Sequence, residues 1–296
     1  MENSIEPSKT PKLLKDLDFT DIYVNESGMI FMKGLILPEY LINGGVSNDD
    51  LKNVPEDYME ETSVLVKKAL AQNEIETRAS FPLEFGGMSF RITKINTIKN
   101  KWITMRKLLH PVPRIQSFKG IPRPVIRAMA HLGAKGSSGI ILFTGKTGSG
   151  KTTLACSLLQ GYLVTGGDVA VTLERPAELK LDGGYGPNNK GWCFQTEVLS
   201  NGYAKAVENV MRYTPRIILF GEIRGPEEAR QALRLGNTGH LVISTMHSSS
   251  GIDAINRFIE LSSEGDDLKQ ASTALPRALL AVFNQQMNTT HAGKLF

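Results

Sequence analysis

Residues 145–152 read Gly145-Lys146-Thr147-Gly148-Ser149-Gly150-Lys151-Thr152, a complete G-x-x-x-x-G-K-[ST] spacing. No other feature restricts the fold as much, because such a loop works only between a buried strand and a helix. Both are written beside it. The apolar run Gly139-Ile140-Ile141-Leu142-Phe143-Thr144 precedes the loop, and Thr152-Thr153-Leu154-Ala155-Cys156-Ser157-Leu158-Leu159 follows it with helical alternation. Glycines let consecutive backbone N–H groups turn inward around an anion. The helix N-terminus adds partial positive charge. Lys151 is expected to reach the β- and γ-phosphates, and Thr152 to place its hydroxyl on a magnesium ion. The pattern predicts binding of a nucleoside triphosphate.

The length of 296 residues suggests two domains or one large one. Apolar residues at 41% and charged residues at 22% place the chain among ordinary globular proteins. A net charge of +4, with no face-sized cluster of Lys and Arg, does not argue for nucleic acid. Two cysteines, Cys156 and Cys193, exclude a disulfide framework and a four-cysteine zinc site, and fit a reducing, cytosolic setting. Met1–Pro11 is polar, without the apolar stretch of a signal peptide. No run approaches eighteen apolar residues, so membrane association would be peripheral or through a partner.

The first hundred or so residues read as a small mixed α/β domain. Residues 21–24 and 29–34 flank the turn-rich Asn25-Glu26-Ser27-Gly28 as a hairpin. Helical spacing of Val64, Leu65, Lys68 and Ala69 predicts a helix over 61–72. A second hairpin turns at Gly86-Gly87, and 102–108 reads as one more strand. Four prolines between His110 and Pro124 predict a semi-rigid linker, with Pro124 opening a helix through Val125, Ile126 and Met129. The predicted division is 1–110, linker 111–124, and 125–296. Beyond residue 138, wholly apolar strands at 140–144, 169–174, 217–220 and 241–245 alternate with helical segments. That pattern predicts a buried, largely parallel sheet in an α/β nucleotide-binding core.

A phosphate loop needs a carboxylate across the sheet. Arg216-Ile217-Ile218-Leu219-Phe220-Gly221-Glu222 supplies Glu222 at the carboxyl end of a strand, where open α/β sheets bind ligands. Glu222 is suited to positioning water as well as to metal ligation. Glu174 closes another buried strand, within Glu174-Arg175-Pro176-Ala177-Glu178, so two acids can divide metal binding and water activation. His240 and His247 stand at opposite ends of the strand 241–245. His247, at the carboxyl end, is the stronger functional candidate.

These segments resemble the secretion ATPases of type II secretion, type IV pili and type IV secretion. Four signatures of that family stand in order: the Walker A loop Gly145–Thr152, the Asp box Glu174–Glu178, the Walker B segment Ile217–Glu222 with Ile223-Arg224, and the His box from Thr238-Gly239-His240 through His247-Ser248. The resemblance implies a PAS-like α+β domain followed by a RecA-like P-loop ATPase core. It implies nucleotide contacts from Gly145, Thr147, Gly148, Ser149, Gly150, Lys151, Thr152 and Thr153, with Mg²⁺ held through Thr152 and Glu222. Glu222 would act on the attacking water with Glu174 assisting, His247 would sense the γ-phosphate, and Arg224 would couple Glu222 to a neighbouring subunit. Glu178 and His240 belong to the same boxes. Phe90-Arg91-Ile92 resembles the family's Phe-Arg-Val element, so Arg91 and Arg106 are expected as pocket cations. A homo-oligomer, six subunits in this family, would work in the cytoplasm against inner-membrane components of a secretion or pilus complex, without binding nucleic acid directly.

The chain departs from the family at three points. Arg175 stands where an Asp is usual. The four-cysteine zinc module of the type II export branch is absent. The chain ends soon after 279–286, which the resemblance assigns to a helix, so the C-terminal helical portion reads as short or missing. Two other readings compete. A P-loop small-molecule kinase leaves the His box and the front domain unexplained. A RecA-like nucleic-acid translocase would want a basic groove with exposed aromatics.

Overall fold

In a computed structural model, residues 12–34, 51–108, 111–118, 120–198, 202–263 and 268–286 are described. Chain contacts divide the protein into two units, Met1–His110 and Pro111–Phe296.

Alternation of apolar and polar residues folds the first unit into an antiparallel sheet. Its strands are β1 (Asp21–Asn25), β2 (Ile30–Lys33), β3 (Lys52–Asn53), β4 (Ser80–Phe85), β5 (Met88–Asn96) and β6 (Lys101–Leu108), ordered β3-β2-β1-β6-β5-β4. The β1–β2 turn closes because the Asn25 carboxamide accepts from the N–H groups of Ser27 (3.1 Å) and Met29 (2.9 Å). Helix α1 (Met59–Ile75) lays Leu65, Val66 and Ala69 against Ile22, Val24, Phe90, Ile92 and Met105. The buried stripe is not the one expected: Val64 is 52% exposed, and Thr62 takes its place inside, its hydroxyl donating to Tyr58 O (2.7 Å).

The second unit is a seven-stranded sheet covered on both faces. Its strands are β7 (Gly139–Gly145), β8 (Asp168–Leu173), β9 (Gly183–Tyr185), β10 (Gly191–Phe194), β11 (Ile217–Glu222), β12 (Leu241–His247) and β13 (Leu279–Asn284), ordered β13-β7-β12-β11-β8-β10-β9. All neighbours are parallel except β9 with β10. Apolar residues on both faces of each central strand have a partner layer. Ile141, Phe143, Leu219 and Ile243 face α2 (Arg123–Leu132) and α3 (Lys151–Gly166). Ile140, Leu142, Ile218 and Val242 face α4 (Gly202–Val210), α5 (Pro226–Asn237), α6 (Gly251–Ser263) and α7 (Leu268–Ala278).

Three expectations change. The predicted linker is held down at its start: Val112 and Ile115 are buried in the same core as α2 and α3. Pro124 falls one residue inside α2, not at its first position. The segment expected as a helix at 279–286 is instead β13, whose residues 279–284 pair parallel with β7 at the sheet edge. Leu-Leu-Ala-Val-Phe suits either state by composition, and the open edge of β7 decides it. The last residues, 287–296, lie outside those described, as does the whole N-terminal stretch Met1–Pro11 with its leader expectation.

Candidate functional site

Parallel order brings four strand ends to one rim. Gly145 of β7 lies beside His247 of β12, Glu222 of β11 beside Thr245 of β12, and Glu174 directly follows β8. The phosphate loop leaves β7 and enters α3 through Gly148 (φ +77°) and Gly150 (φ +82°), left-handed conformations that glycine adopts without strain. Ser149 donates its N–H to Lys146 O (3.3 Å), which folds the loop over the start of α3. The first N–H groups of that helix have no intrahelical partner and point to the loop's interior. Ser149 Oγ is shielded from solvent and unpaired. Thr147 and Gly148 are exposed at the crest; Thr152 and Thr153 are half-buried in the first turn of α3.

Lys151 is 6% exposed and its ammonium donates to Lys146 O (2.8 Å). Burial lowers its pKa, an effect countered by the charges of Glu222 and Glu178. Its Nζ lies 3.5 Å from His247 Nδ1, which selects the tautomer with the proton on Nε2. That Nε2 is 2.9 Å from Glu222 Oε1, within ion-pair distance but without hydrogen-bond alignment. Glu222 Oε2 accepts from Arg224 Nε (2.6 Å), and this bond raises the guanidinium's pKa. Lys151, His247, Glu222 and Arg224 thus form one continuous chain of polar contacts across the rim.

Glu174 is held differently. It is 3% exposed, and burial raises its pKa to about 7, against hydrogen bonds from Gln195, Thr172 and the Glu178 backbone that favour the ionised form. Gln195 Nε2 donates to Glu174 Oε1 (2.9 Å) and to Leu179 O (2.6 Å). The strand end approaches so closely that a Cβ on Gly221 would sit 3.2 Å from Leu173 O and 3.3 Å from Glu174 Cα. Glu174, Glu178, Glu222, Arg175, Arg224 and Thr152 line one small cavity. The cation of Arg175 therefore stands among the acids of its box.

A larger cleft of about 370 Å³ lies beside the phosphate loop, bounded by Gly145–Ser149, Ser248 and Ser249, and Asn284–Gln286. Sequence reasoning missed this last wall and also missed Gln195. The rule that found Glu222, a polar residue at the carboxyl end of a buried strand, would have found Asn284 and Gln285 had 279–284 been read as a strand.

Within the second unit one candidate does not come to the rim. His240 precedes β12 at its opposite end, roughly 20 Å away for a strand of this length, with Nδ1 3.3 Å from Thr238 Oγ1. The fold does not bring it to the phosphate loop. Arg91 and Arg106 are direct neighbours across β5 and β6 of the first unit, and Arg106 Nε donates to Asp21 Oδ1 (2.7 Å).

The donor set suits magnesium. Hydroxyl and carboxylate oxygens of Thr152, Glu174 and Glu222 are the hard ligands that ion takes. Among the described residues no group of three or more His, Cys, Asp or Glu side chains could hold a metal without other ligands. An ion here would share its coordination with phosphate oxygens.

A strand–loop–helix phosphate cradle faced by strand-end acids, in a doubly covered parallel sheet, defines a P-loop nucleotide-binding protein. The pattern of the family described as "Type II/IV secretion system protein" matches residues 60–291, and the chain belongs to that family. Among curated relatives, competence protein ComGA of Bacillus subtilis (strain 168) is 29% identical over 197 residues, 65% of this chain and 52% of that protein. The twitching motility protein of Neisseria gonorrhoeae is 28% identical over 250 residues, 81% of this chain and 63% of its own length. The chain thus spans about half to two-thirds of the length of these relatives. Among solved structures, the pilus retraction motor PilT with bound ADP superposes with a TM-score of 0.70 at 24% identity, covering 93% of this chain and 76% of that one. The Legionella pneumophila ATPase DotB gives 0.67 at 21% identity, over 95% and 75%. At these identities the likeness is one of fold. Among the described residues no helix is long and apolar enough to cross a membrane.

Proposed function

We propose that this chain is an ATP hydrolase that couples turnover to domain motion powering a type IV secretion, conjugation or type IV pilus machine. One observation carries the reading: a glycine-turned phosphate loop, with an unpaired buried Ser149 hydroxyl inside it, stands opposite the Lys151–His247–Glu222–Arg224 chain. Lys151 exchanges its loop carbonyl for phosphate oxygens. Arg224 fixes one oxygen of Glu222; the other, beside His247 Nε2, would orient water and accept its proton as the water oxygen attacks the γ-phosphorus and the bond to ADP breaks. His247, touching both Lys151 and Glu222, would report whether the γ-phosphate is present. Glu174, partly protonated near neutrality, assists as a proton acceptor. Magnesium, held by Thr152 and Glu222 and by the nucleotide, would neutralise charge on the phosphate oxygens.

Family membership supports the finer reading. The first unit is PAS-like and the second RecA-like. Six copies form a ring in the cytoplasm, attached peripherally to inner-membrane components of the machine. Lys151→Ala tests the core of the proposal. ATP turnover should fall at least about 100-fold, the order expected when a phosphoryl-transfer cation is removed, while the circular dichroism spectrum is kept. Turnover near wild type would remove the assignment.

A further inference from the structure

The cleft beside the phosphate loop has a wall that none of the four motifs includes. Strand β13 runs parallel to β7 and ends against the loop, with Asn284 opposite Thr144. The Asn284 carboxamide donates to Thr144 Oγ1 (3.0 Å), and the Gln285 N–H donates to Thr144 O (2.7 Å). The Gln285 carbonyl fills the space a side chain on Gly145 would need: any Cβ there would collide with it. Position 285 is therefore held against the end of β7 by its own N–H bond to Thr144 O and by the missing side chain of Gly145, while the neighbouring Asn284 adds a second bond to Thr144.

The side chain of Gln285 is not satisfied in this arrangement. Its Oε1 is out of reach of solvent and has no hydrogen-bond partner, and the same is true of Ser149 Oγ in the same cleft. Two shielded, unpaired polar atoms belonging to residues that line one 370 Å³ cleft are unfavourable unless a ligand entering it pairs them. The volume lies in the range of small-molecule sites. Phosphates gripped by the loop leave the nucleoside room to extend into this space, which Lys151, His247 and Glu222, in contact with one another, do not line.

We propose that Gln285 reads the nucleotide base and makes the site selective for adenine over guanine, an inference that rests on the nucleotide-binding assignment above. A carboxamide offers an acceptor beside a donor. Adenine presents the complement, its 6-amino group beside N7, whereas guanine presents two acceptors, O6 and N7, on the same edge. Guanine would leave Gln285 Oε1 unpaired, and a site built around a hydrogen bond rejects the analogue that cannot make it.

Equilibrium competition against a fluorescent ADP, using ATP, GTP and purine riboside triphosphate (adenine without its amino group), tests this. Wild type should prefer ATP over each of the others by about tenfold or more, the discrimination of one bidentate pair. Gln285→Met, close in shape but unable to pair, should bring the three affinities within about twofold to threefold. Gln285→Glu keeps the acceptor and should retain the preference for ATP over purine riboside triphosphate. Equal wild-type affinities, or full discrimination surviving in Gln285→Met, would overturn the base-reading role and leave the phosphate site standing. A wild-type protein that binds none of the three overturns both readings.

Discussion

Glu174 is the residue whose chemistry depends most on its surroundings. In water a glutamate is ionised at neutral pH; here burial holds the carboxyl at about 7. The folded state therefore binds a proton that the unfolded chain has already released between about pH 4.5 and 7, and stability falls as pH rises through that window. The full effect is about 3 kcal/mol, from roughly 1.4 kcal/mol per pKa unit. Glu174→Gln should remove that loss: in urea unfolding its stability gain over wild type should be small at pH 5 and grow by about 2–3 kcal/mol by pH 8. Parallel pH curves for the two proteins would contradict the burial of this acid. The position of Glu174 at a strand end is legible in the apolar run before it. Its raised pKa is not, because Gln195, 21 residues later in the chain, and the close approach of Gly221 create the environment.

At the scale of elements, the contact of β13 with the phosphate loop is the most exacting. Gly145 has φ +145°, and its missing Cβ is where the Gln285 carbonyl sits. Gly145→Ala must either strain the loop or push β13 away. A loss of roughly 2–4 kcal/mol follows, in the range of overpacking plus backbone strain, to be measured by denaturant unfolding. Stability within about 0.5 kcal/mol of wild type, the range of surface substitutions, would show that the strand end does not depend on this glycine. Elements with strong signals of their own read correctly: β7, β11 and β12 are long apolar runs, and α3 follows a glycine loop. Short or ambiguous ones did not. Three-residue β9 has little apolar content, Trp192 and Phe194 of β10 face outward, and β13 reads equally as a helix until β7 offers it an edge.

For the molecule as a whole, each unit has its own core: one under the antiparallel sheet, and two on the faces of the parallel sheet. Residues Val112 and Ile115 belong to the second unit, so a fragment beginning at residue 111 should fold cooperatively by itself, whereas one beginning at 125 should lose about 2–4 kcal/mol or more through the cavities left behind. Equal thermal unfolding of the two fragments would show that the segment is only a tether. Local pattern alone determined the phosphate loop, the strand-end acids and the parallel character of the core, because periodicity, glycine placement and strand-end position are properties of neighbouring residues. Only the tertiary structure decided which strand ends meet. It set His247 between Lys151 and Glu222, left His240 at the far end, buried Glu174 and placed Gln285 against Gly145. Those relations join residues as many as 140 positions apart, and sheet order, which no short stretch of chain encodes, brings them together.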